Sequence, residues 1–249
     1  SRSMKRDNNN EISRREFIKK AAFLGLSIGG SGALMEIVFG DDVLAASGAA
    51  ESARIRWAMV VDMTKCSRKE DCNDCMAACH RVHNVPSIAS KRHEVKWIWK
   101  EPFVNAFPEL KEGRLRKDLY GAGFIVLCNH CDNPPCVSCC PTGASHVEEF
   151  GKTVQVTKEK CIGCKACIAS CPYGARYVHP KGYIDKCTFC DHRTREGLDP
   201  ACVSVCPTHC MHFGDLDDPK SKVSELLRTE KYHTIMPEAG TKPRVFYLI

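Results

Sequence analysis

The chain has 249 residues and lacks the common motifs of an enzyme that works on a nucleotide. It contains no phosphate-binding loop of the GxxxxGK[ST] type and no GxGxxG dinucleotide fingerprint. It also has no C-x2-C-H motif, so no covalently attached haem is expected in this chain. These absences predict a protein with no small-molecule substrate site of its own.

Two other features are scarce, namely aromatic residues and dense runs of positive charge. Only 8% of the residues are aromatic, and the formal net charge of +6 is spread along the chain rather than held in a block. A nucleic-acid-binding surface normally shows a basic patch, and the sequence therefore predicts no nucleic-acid partner. With ordinary apolar content and few aromatics, the core is expected to depend partly on whatever the cysteines bind.

Residues 1–50 read as a leader. Arg14 and Arg15 precede an apolar, glycine-rich run from Ala21 to about Gly40, and small residues follow in "VLAASGAA". This pattern is typical of a secretory signal of the twin-arginine kind, which exports proteins already folded and loaded with cofactor. We therefore expect the protein at the periplasmic or extracytoplasmic face of the membrane. The alternative is a retained anchor, but the glycines and Glu36 make a poor membrane-spanning helix.

The chain is rich in cysteine, and sixteen of its 18 cysteines fall into four repeats of one pattern. The groups, in chain order, are Cys66, Cys72, Cys75, Cys79; Cys128, Cys131, Cys136, Cys140; Cys161, Cys164, Cys167, Cys171; and Cys187, Cys190, Cys202, Cys206. Each group ends C-x3-C, and proline follows in three of the four. Group three matches the bacterial ferredoxin run C-x2-C-x2-C-x3-C-P.

The spacing has a physical reason. Cysteines two residues apart can wrap a tight loop around one face of an iron–sulfur cubane, and the fourth thiolate reaches the other cluster of a pair. Zinc is the competing interpretation, because paired C-x2-C units also form zinc ribbons, but ribbons do not need the x3-C-P ending. A disulfide framework is disfavoured by geometry, since cysteines this close rarely pair with each other. Cys139 and Cys210 occupy small-residue positions and are expected to be buried free thiols, with Cys139 in place of Cys140 as the rival ligand.

The segments "GFIVLCNHCDNPPC", "CPTGA", "VTKEKCIGCKACIASCPYGAR", "DKCTFCDHR" and "PACVSVCP" resemble the four-cluster ferredoxin subunits of respiratory oxidoreductases, typified by the electron-transfer subunit of dimethyl sulfoxide reductase. The resemblance implies an α+β fold of two nested double-cluster ferredoxin-like domains that hold four 4Fe-4S clusters. It implies these four ligand sets: Cys66, Cys72, Cys75 with Cys206; Cys187, Cys190, Cys202 with Cys79; Cys128, Cys131, Cys136 with Cys171; and Cys161, Cys164, Cys167 with Cys140.

A narrower resemblance lies between the cysteine groups. The segments "DMTKCSRKEDCNDCMAACHRVHNVP" and "EVKWIWKEPFVNAFPE", with the tail "FGDLDDPKSKVSELL…GTKPRVFYL", are similar to the DsrO family, the periplasmic iron–sulfur subunits of the sulfite-reduction-associated complex of dissimilatory sulfur metabolism. This resemblance implies two partners, namely a quinone-reactive integral membrane subunit of the polysulfide-reductase anchor type and a periplasmic multihaem cytochrome c. The alternative is the equivalent subunit of a molybdenum-dependent oxidoreductase or of a hydrogenase. From other classes, a zinc-stabilised interaction module and an enzyme with an open-site iron at group one stay open.

Group one departs from the pattern. Five residues separate Cys66 from Cys72, where two are usual, and His80 replaces the proline. Cys66 is therefore the least secure ligand, and the alternatives are a three-iron cluster or a carboxylate ligand from Asp71 or Asp74.

The domain organisation follows the cysteine groups. We predict a signal peptide (1–50), an outer ferredoxin-like domain (57–85 and 186–213), an insertion (86–119), an inner domain (120–185) and a C-terminal docking tail (214–249). Within the insertion, Trp97 and Trp99 are interpreted either as a docking surface or as local packing over a cluster. His130, between two predicted ligands, either tunes a cluster or lies in a solvated loop.

Overall fold

A computed structural model describes residues 55–69, 71–108, 121 and 123–249 of the chain. The predicted signal peptide and residues 109–119 of the predicted insertion lie outside the described residues. Within the described part, no helix is long and apolar enough to cross a membrane.

The described elements are short, and helices and strands are mixed along the chain, as expected for an α+β protein. The strands are β1 (Trp57–Asp62), β2 (Ile98–Pro102), β3 (Gly123–Leu127), β4 (Ser145–Val147), β5 (Val154–Val156), β6 (Tyr177–Val178), β7 (Ile184–Asp185), β8 (Met211–Asp215), β9 (Tyr232–His233) and β10 (Val245–Leu248). The helices are α1 (Met63–Cys66), α2 (Asp74–Val82), α3 (Phe103–Ala106), α4 (Pro135–Ser138), α5 (Ala166–Ala169), α6 (Asp191–Thr194), α7 (Ala201–Ser204) and α8 (Lys222–Thr229). The mixed α/β content of the prediction is confirmed.

The largest sheet has four strands in the order β8–β1–β10–β9. Strand β1 lies inside it, antiparallel to β8 and parallel to β10, so that Met59 faces Phe213 on one side and Val245 on the other. Because β1 is covered on both faces, its sequence "WAMVVD" is almost continuously apolar. The first and last described strands of the chain are therefore neighbours in one sheet.

The C-terminal segment 214–249 supplies part of this sheet. The segment "PKSKVSELL" predicts a helix that begins near Ser221. Helix α8 begins there and packs beside β8, with the Ser221 hydroxyl accepting from the Ser224 N–H at 3.1 Å. Strand β10 is buried along its whole length. The segment is thus built into the fold of the cysteine-bearing part of the chain, and its role in docking stays a prediction.

Arg244 fastens this sheet to the loops that carry cysteines. Its side chain is 1% exposed and donates to the carbonyl oxygens of His130 (2.6 Å), Trp57 (3.0 Å) and Gly151 (3.1 Å). The adjacent backbone bond from the Asp132 N–H to the Lys242 carbonyl, at 3.0 Å, continues the connection. One buried guanidinium thereby holds three chain segments that are distant in sequence.

Strands β2 and β3 form an antiparallel pair; Trp99 lies in β2, and Trp97 immediately precedes this strand. Trp97 is 5% exposed and Trp99 is 8% exposed, and both belong to the main apolar core. The Trp97 indole N–H donates to the Asp185 carboxylate at 3.0 Å. Of the two interpretations of these tryptophans, the structure supports local packing.

The pairs β4–β5 and β6–β7 are short hairpin-like ladders of two or three residues each. The sequence predicts strands at "GAGFIVLC" and "KTVQVTKEKC", and both are present as β3 and β5. Between and beside these ladders the chain runs in loops and single helical turns, and those loops position most of the cysteines.

Candidate iron–sulfur sites

All eighteen cysteines are described, and all are free thiols, so no disulfide framework holds this fold. Sixteen of them gather into four groups, which we call sites A to D. The groups are site A (Cys66, Cys72, Cys75, Cys206), site B (Cys79, Cys187, Cys190, Cys202), site C (Cys128, Cys131, Cys136, Cys171) and site D (Cys140, Cys161, Cys164, Cys167). The structure thus brings together the same residues that the family resemblance combines.

Site A lines a cavity of about 540 Å³. Helix α1 ends at Cys66, helix α2 carries Cys75, and Cys206 follows α7. The cavity also reaches Asp71 and Lys100, and it is far wider than the space at site D, about 20 Å³. The long spacing in group one therefore does not take Cys66 away from its predicted companions.

Site B lies next to site A because helix α2 serves both. Cys75 and Cys79 are four residues apart, one helical turn, and face sites A and B respectively. Burial, followed by the neighbouring Cys187 and Cys202, raises the pKa of the Cys79 thiol well above its usual range. Burial also raises the pKa of Cys187 to about 12.

Site C lies beyond site B, and Cys128 of site C is close enough to Cys187 of site B to contribute to the raised pKa of Cys187. Burial raises the pKa of Cys131 to about 12, and Cys128, Cys136 and Cys171 act in the same direction. Thiols this crowded stay protonated unless a cation joins them, and coordination to a metal deprotonates them outright. The donor chemistry of sites B and C therefore fits a group that supplies iron to several thiolates at once.

Site D closes the row and reaches the surface. Cys164 is exposed, and the neighbouring Ile162 is 67% exposed. The Cys140 sulfur accepts from the Ser145 N–H at 3.3 Å and lines the space with Cys161 and Cys167, whereas Cys139 lies outside it. Of the two candidates for this position, the structure brings Cys140 to the site.

Arg176 lies between sites C and D and is 3% exposed. Its Nη2 donates to the Cys136 sulfur at 2.9 Å and to the Ser145 hydroxyl at 2.8 Å, and Cys167 lies within its electrostatic reach. Burial alone would lower its pKa, but the surrounding thiolates outweigh burial and raise it. No carboxylate pairs with this guanidinium among the described residues, and a buried cation without a counter-charge is costly. Anionic clusters at sites C and D would supply that charge.

Lys186 is a second buried basic side chain, close to Cys187 of site B and Cys136 of site C. It is 2% exposed, and its ammonium group donates at 2.5 Å to the carbonyl oxygens of Val154 and Cys187.

Asn129, the residue after Cys128 of site C, is 1% exposed, and its side-chain amide has no hydrogen-bond partner among the described residues. A buried polar group of this kind requires an explanation, and a nearby cluster sulfide would accept from its N–H. The residues around sites B and C therefore fit a negatively charged group rich in acceptors.

His83 is a feature that the cysteine pattern does not reveal. Its Nε2 lies 3.1 Å from the Cys190 sulfur, and its ring stacks on Trp97 at 4.0 Å. Burial lowers the pKa of His83 to about 4, so the ring is neutral at physiological pH and can donate one N–H to a thiolate. His83 and Cys190 are 107 positions apart, so no local pattern could have found the pair.

His130 is packed rather than solvated. It is fully buried, its ring stacks on Phe189 at 3.8 Å, and its Nδ1 accepts from the Val154 N–H at 3.1 Å. The alternative of a solvated loop is therefore wrong. Burial holds its pKa well below the ordinary value, and the side chain is neutral beside site C.

The two extra cysteines differ. The Cys139 sulfur is half-buried and contacts the Ser170 hydroxyl at 3.2 Å. Cys210 is 2% exposed and lines the cavity of site A, where its sulfur lies 3.4 Å from that of Cys206. Cys210 is thus a buried free thiol, as predicted, but the sequence did not place it among the thiols of site A. Within the described residues, no three or more Cys, His, Asp or Glu side chains are arranged so that they could hold one metal ion directly.

Residues 123–216 match the family model described as a 4Fe-4S dicluster domain. The chain is 34% identical to the arsenate respiratory reductase iron-sulfur subunit ArrB of Shewanella sp. strain ANA-3, over 78% of this chain and 96% of the relative. It is 38% identical to a polysulfide reductase subunit from Wolinella succinogenes, over 77% of this chain and 93% of the relative. It is 37% identical to a tetrathionate reductase subunit from Salmonella typhimurium, over 79% of this chain and 74% of the relative.

These relatives belong to reductases that act on three different substrates, and each match covers more than three quarters of this chain. What they share with this chain is the electron-transferring subunit and its iron–sulfur cofactors, not a catalytic site. The chain therefore belongs to the family of iron–sulfur electron-transfer subunits of respiratory reductases.

Proposed function

We propose that sites A to D each hold one 4Fe-4S cluster, so that the chain carries four clusters in two nested pairs, A with B and C with D. The observation that carries the proposal is the unbroken row of thiol groups. Helix α2 joins A to B, Cys187 and Cys128 join B to C, and Arg176 joins C to D. Each cluster would supply one-electron transfer, and the row would let an electron cross the subunit.

In this proposal all sixteen cysteines of sites A to D are ligands, and none of them acts on a substrate. The buried cations Arg176 and Lys186 balance the negative charge of the clusters next to them. Hydrogen bonds to sulfur, such as that from His83 to Cys190, adjust the reduction potentials. The subunit itself makes and breaks no substrate bond.

The ends of the row are the proposed contacts with redox partners. Site D reaches the surface at Cys164 and Ile162, and the cavity of site A opens beside Lys69 and Asp71. Sites B and C are enclosed by buried residues, which favours electron entry at one end and exit at the other. The direction of flow is not part of the proposal.

For the biological setting we propose an exported, DsrO-type subunit. It would leave the cytoplasm folded by the twin-arginine route and relay electrons between a quinone-reactive membrane subunit of the polysulfide-reductase anchor type and a periplasmic multihaem cytochrome c. Support comes from the leader-like residues 1–50 and from the sequence resemblance between the cysteine groups.

A second candidate is the electron-transfer subunit of a molybdenum-dependent reductase. The names of the relatives favour it, because they belong to arsenate, polysulfide and tetrathionate reductases. Both candidates use the same four sites and differ only in the proteins at the two ends of the row.

One experiment tests the sites and a second tests the setting. Anaerobically purified full-length chain is expected to contain about sixteen iron and matching sulfide, with reducible low-temperature EPR signals. Zinc without sulfide would refute the cluster proposal. Solubilised native complex is then analysed for its subunits, where a multihaem cytochrome supports the DsrO-type setting and a large molybdenum-containing subunit supports the second candidate.

A further inference from the structure

The cavity of site A contains five thiols, although a 4Fe-4S cluster takes four. The fifth belongs to Cys210, which is 2% exposed and lines the cavity together with Cys66. Its sulfur lies 3.4 Å from that of Cys206. Cys210 therefore lies among the predicted ligands of site A.

The backbone holds Cys210 firmly at this place. Its carbonyl oxygen accepts from the Asp62 N–H at 2.7 Å, and the next residue, Met211, pairs with Val61 in the main sheet. Cys66, by contrast, ends the four-residue helix α1 and precedes the long spacing of group one. The backbone at Cys210 is thus fixed by the main sheet, whereas Cys66 lies at the end of a short helix.

We propose that Cys210 is a reserve ligand of site A. It replaces Cys66 as a cluster ligand when Cys66 is lost or displaced. The inference rests on the proposed function, because it assumes a cluster at this site. If Cys66 were displaced, Cys210 would replace it as a ligand, and the proton of the Cys210 thiol would pass to the Cys66 sulfur. If Cys66 were absent, that proton would pass to water. In neither case would an electron be gained or lost.

Other side chains at the sites are less suited to this role. Asp71 lines the same cavity, but within the described part of the chain its side chain has no contact with Cys206 like the 3.4 Å contact of Cys210. Cys139, the other cysteine outside the four sets, points to the Ser170 hydroxyl and lies outside the space of site D. Cys139 therefore provides a matched control, as an extra thiol near a cluster site without access to it.

The test compares iron, sulfide and EPR signals of the full chain, purified without oxygen, as wild type, Cys66→Ala and Cys66→Ala/Cys210→Ala. With a reserve ligand, Cys66→Ala keeps about sixteen iron and shows no three-iron signal. The double variant drops to roughly fifteen iron with a three-iron signal, or to roughly twelve if site A empties. At site D, Cys164→Ala and Cys164→Ala/Cys139→Ala are expected to lose iron equally.

Equal loss of iron in Cys66→Ala and in the double variant would overturn the inference, and so would loss of all clusters from Cys66→Ala. A Cys139 effect as large as that of Cys210 would also overturn it, because proximity alone would then suffice. The wild type separates the two hypotheses. If it lacks iron and sulfide, the proposed function fails, whereas a complete wild type with a depleted Cys66→Ala refutes only the reserve ligand.

Discussion

Arg176 allows the sharpest test of how the fold sets the properties of sites C and D, which we call the inner sites because their cysteines belong to the predicted inner domain. Its guanidinium is 3% exposed, donates to the Cys136 sulfur at 2.9 Å, and has Cys167 of site D on its other side. A positive charge stabilises a cluster more when the cluster is reduced and more negative. Replacing Arg176 with glutamine is therefore expected to lower the reduction potentials of the clusters at sites C and D.

The magnitude follows from the contact. A hydrogen bond to a charged group contributes about 1.5–3 kcal/mol. For a one-electron couple, a tenfold change in equilibrium corresponds to about 59 mV, so complete loss would amount to roughly 60–130 mV. Because the oxidised cluster is also negative, part of the interaction is common to both states, and we expect a decrease on the order of 50–100 mV at each inner site.

The measurement is an EPR-monitored redox titration of the purified chain, with Arg228→Gln as the control. Arg228 is an arginine of helix α8 that donates only to the Pro219 carbonyl among the described residues, and its variant should leave all four potentials unchanged. Unchanged or raised potentials of the inner clusters in Arg176→Gln would refute the reasoning. An equal shift of all four clusters would refute it too, since the effect would then be a general loss of packing.

Two further predictions concern the backbone around the sites. Gly163→Ala should lower the melting temperature and deplete iron at site D, because the φ of Gly163 is +66° and an added Cβ would lie 2.3 Å from the Gly182 carbonyl oxygen. Gly174→Ala is the control for backbone strain alone, since Gly174 has a φ of +61° but open space around an added Cβ. An equal effect of both substitutions would contradict the steric argument. Asp62→Ala should destabilise the chain by about 1 kcal/mol by removing the N-cap of helix α1. Burial would raise the pKa of Asp62, but hydrogen bonds including that from the Lys65 N–H at 3.1 Å outweigh it and the pKa is lowered. The Asp62 carboxylate therefore stabilises the fold near neutral pH, and this contribution is lost as pH falls below about 4. The free energies of unfolding of wild type and Asp62→Ala, measured by denaturant titration, should converge in acid. A difference that stays constant with pH would contradict the assignment of Asp62 as the cap.

Much of the candidate site could be predicted from local spacing. The runs around Cys161–Cys171 and Cys128–Cys140 bring thiols together within one loop, because a C-x2-C unit leaves the chain little freedom to separate them. The resemblance of these runs to a known family also combined cysteines from different groups, and the folded chain brings the same residues together. The same reason made it possible to predict strands β3 and β5 and the start of helix α8, since the alternation of apolar and polar residues and the capping of a helix are local properties.

The amino-acid sequence by itself determined the number and spacing of the cysteines, and with them the class of cofactor. Only the tertiary structure decided what surrounds the thiols: Arg176 between two sites, His83 against Cys190, and Cys210 as a fifth thiol at site A. It also placed β10 beside β1, so that a segment interpreted as a tail became part of the central sheet. The physical reason is that spacing acts within a few residues along one loop, whereas burial and the direction in which each side chain points depend on how the whole chain packs.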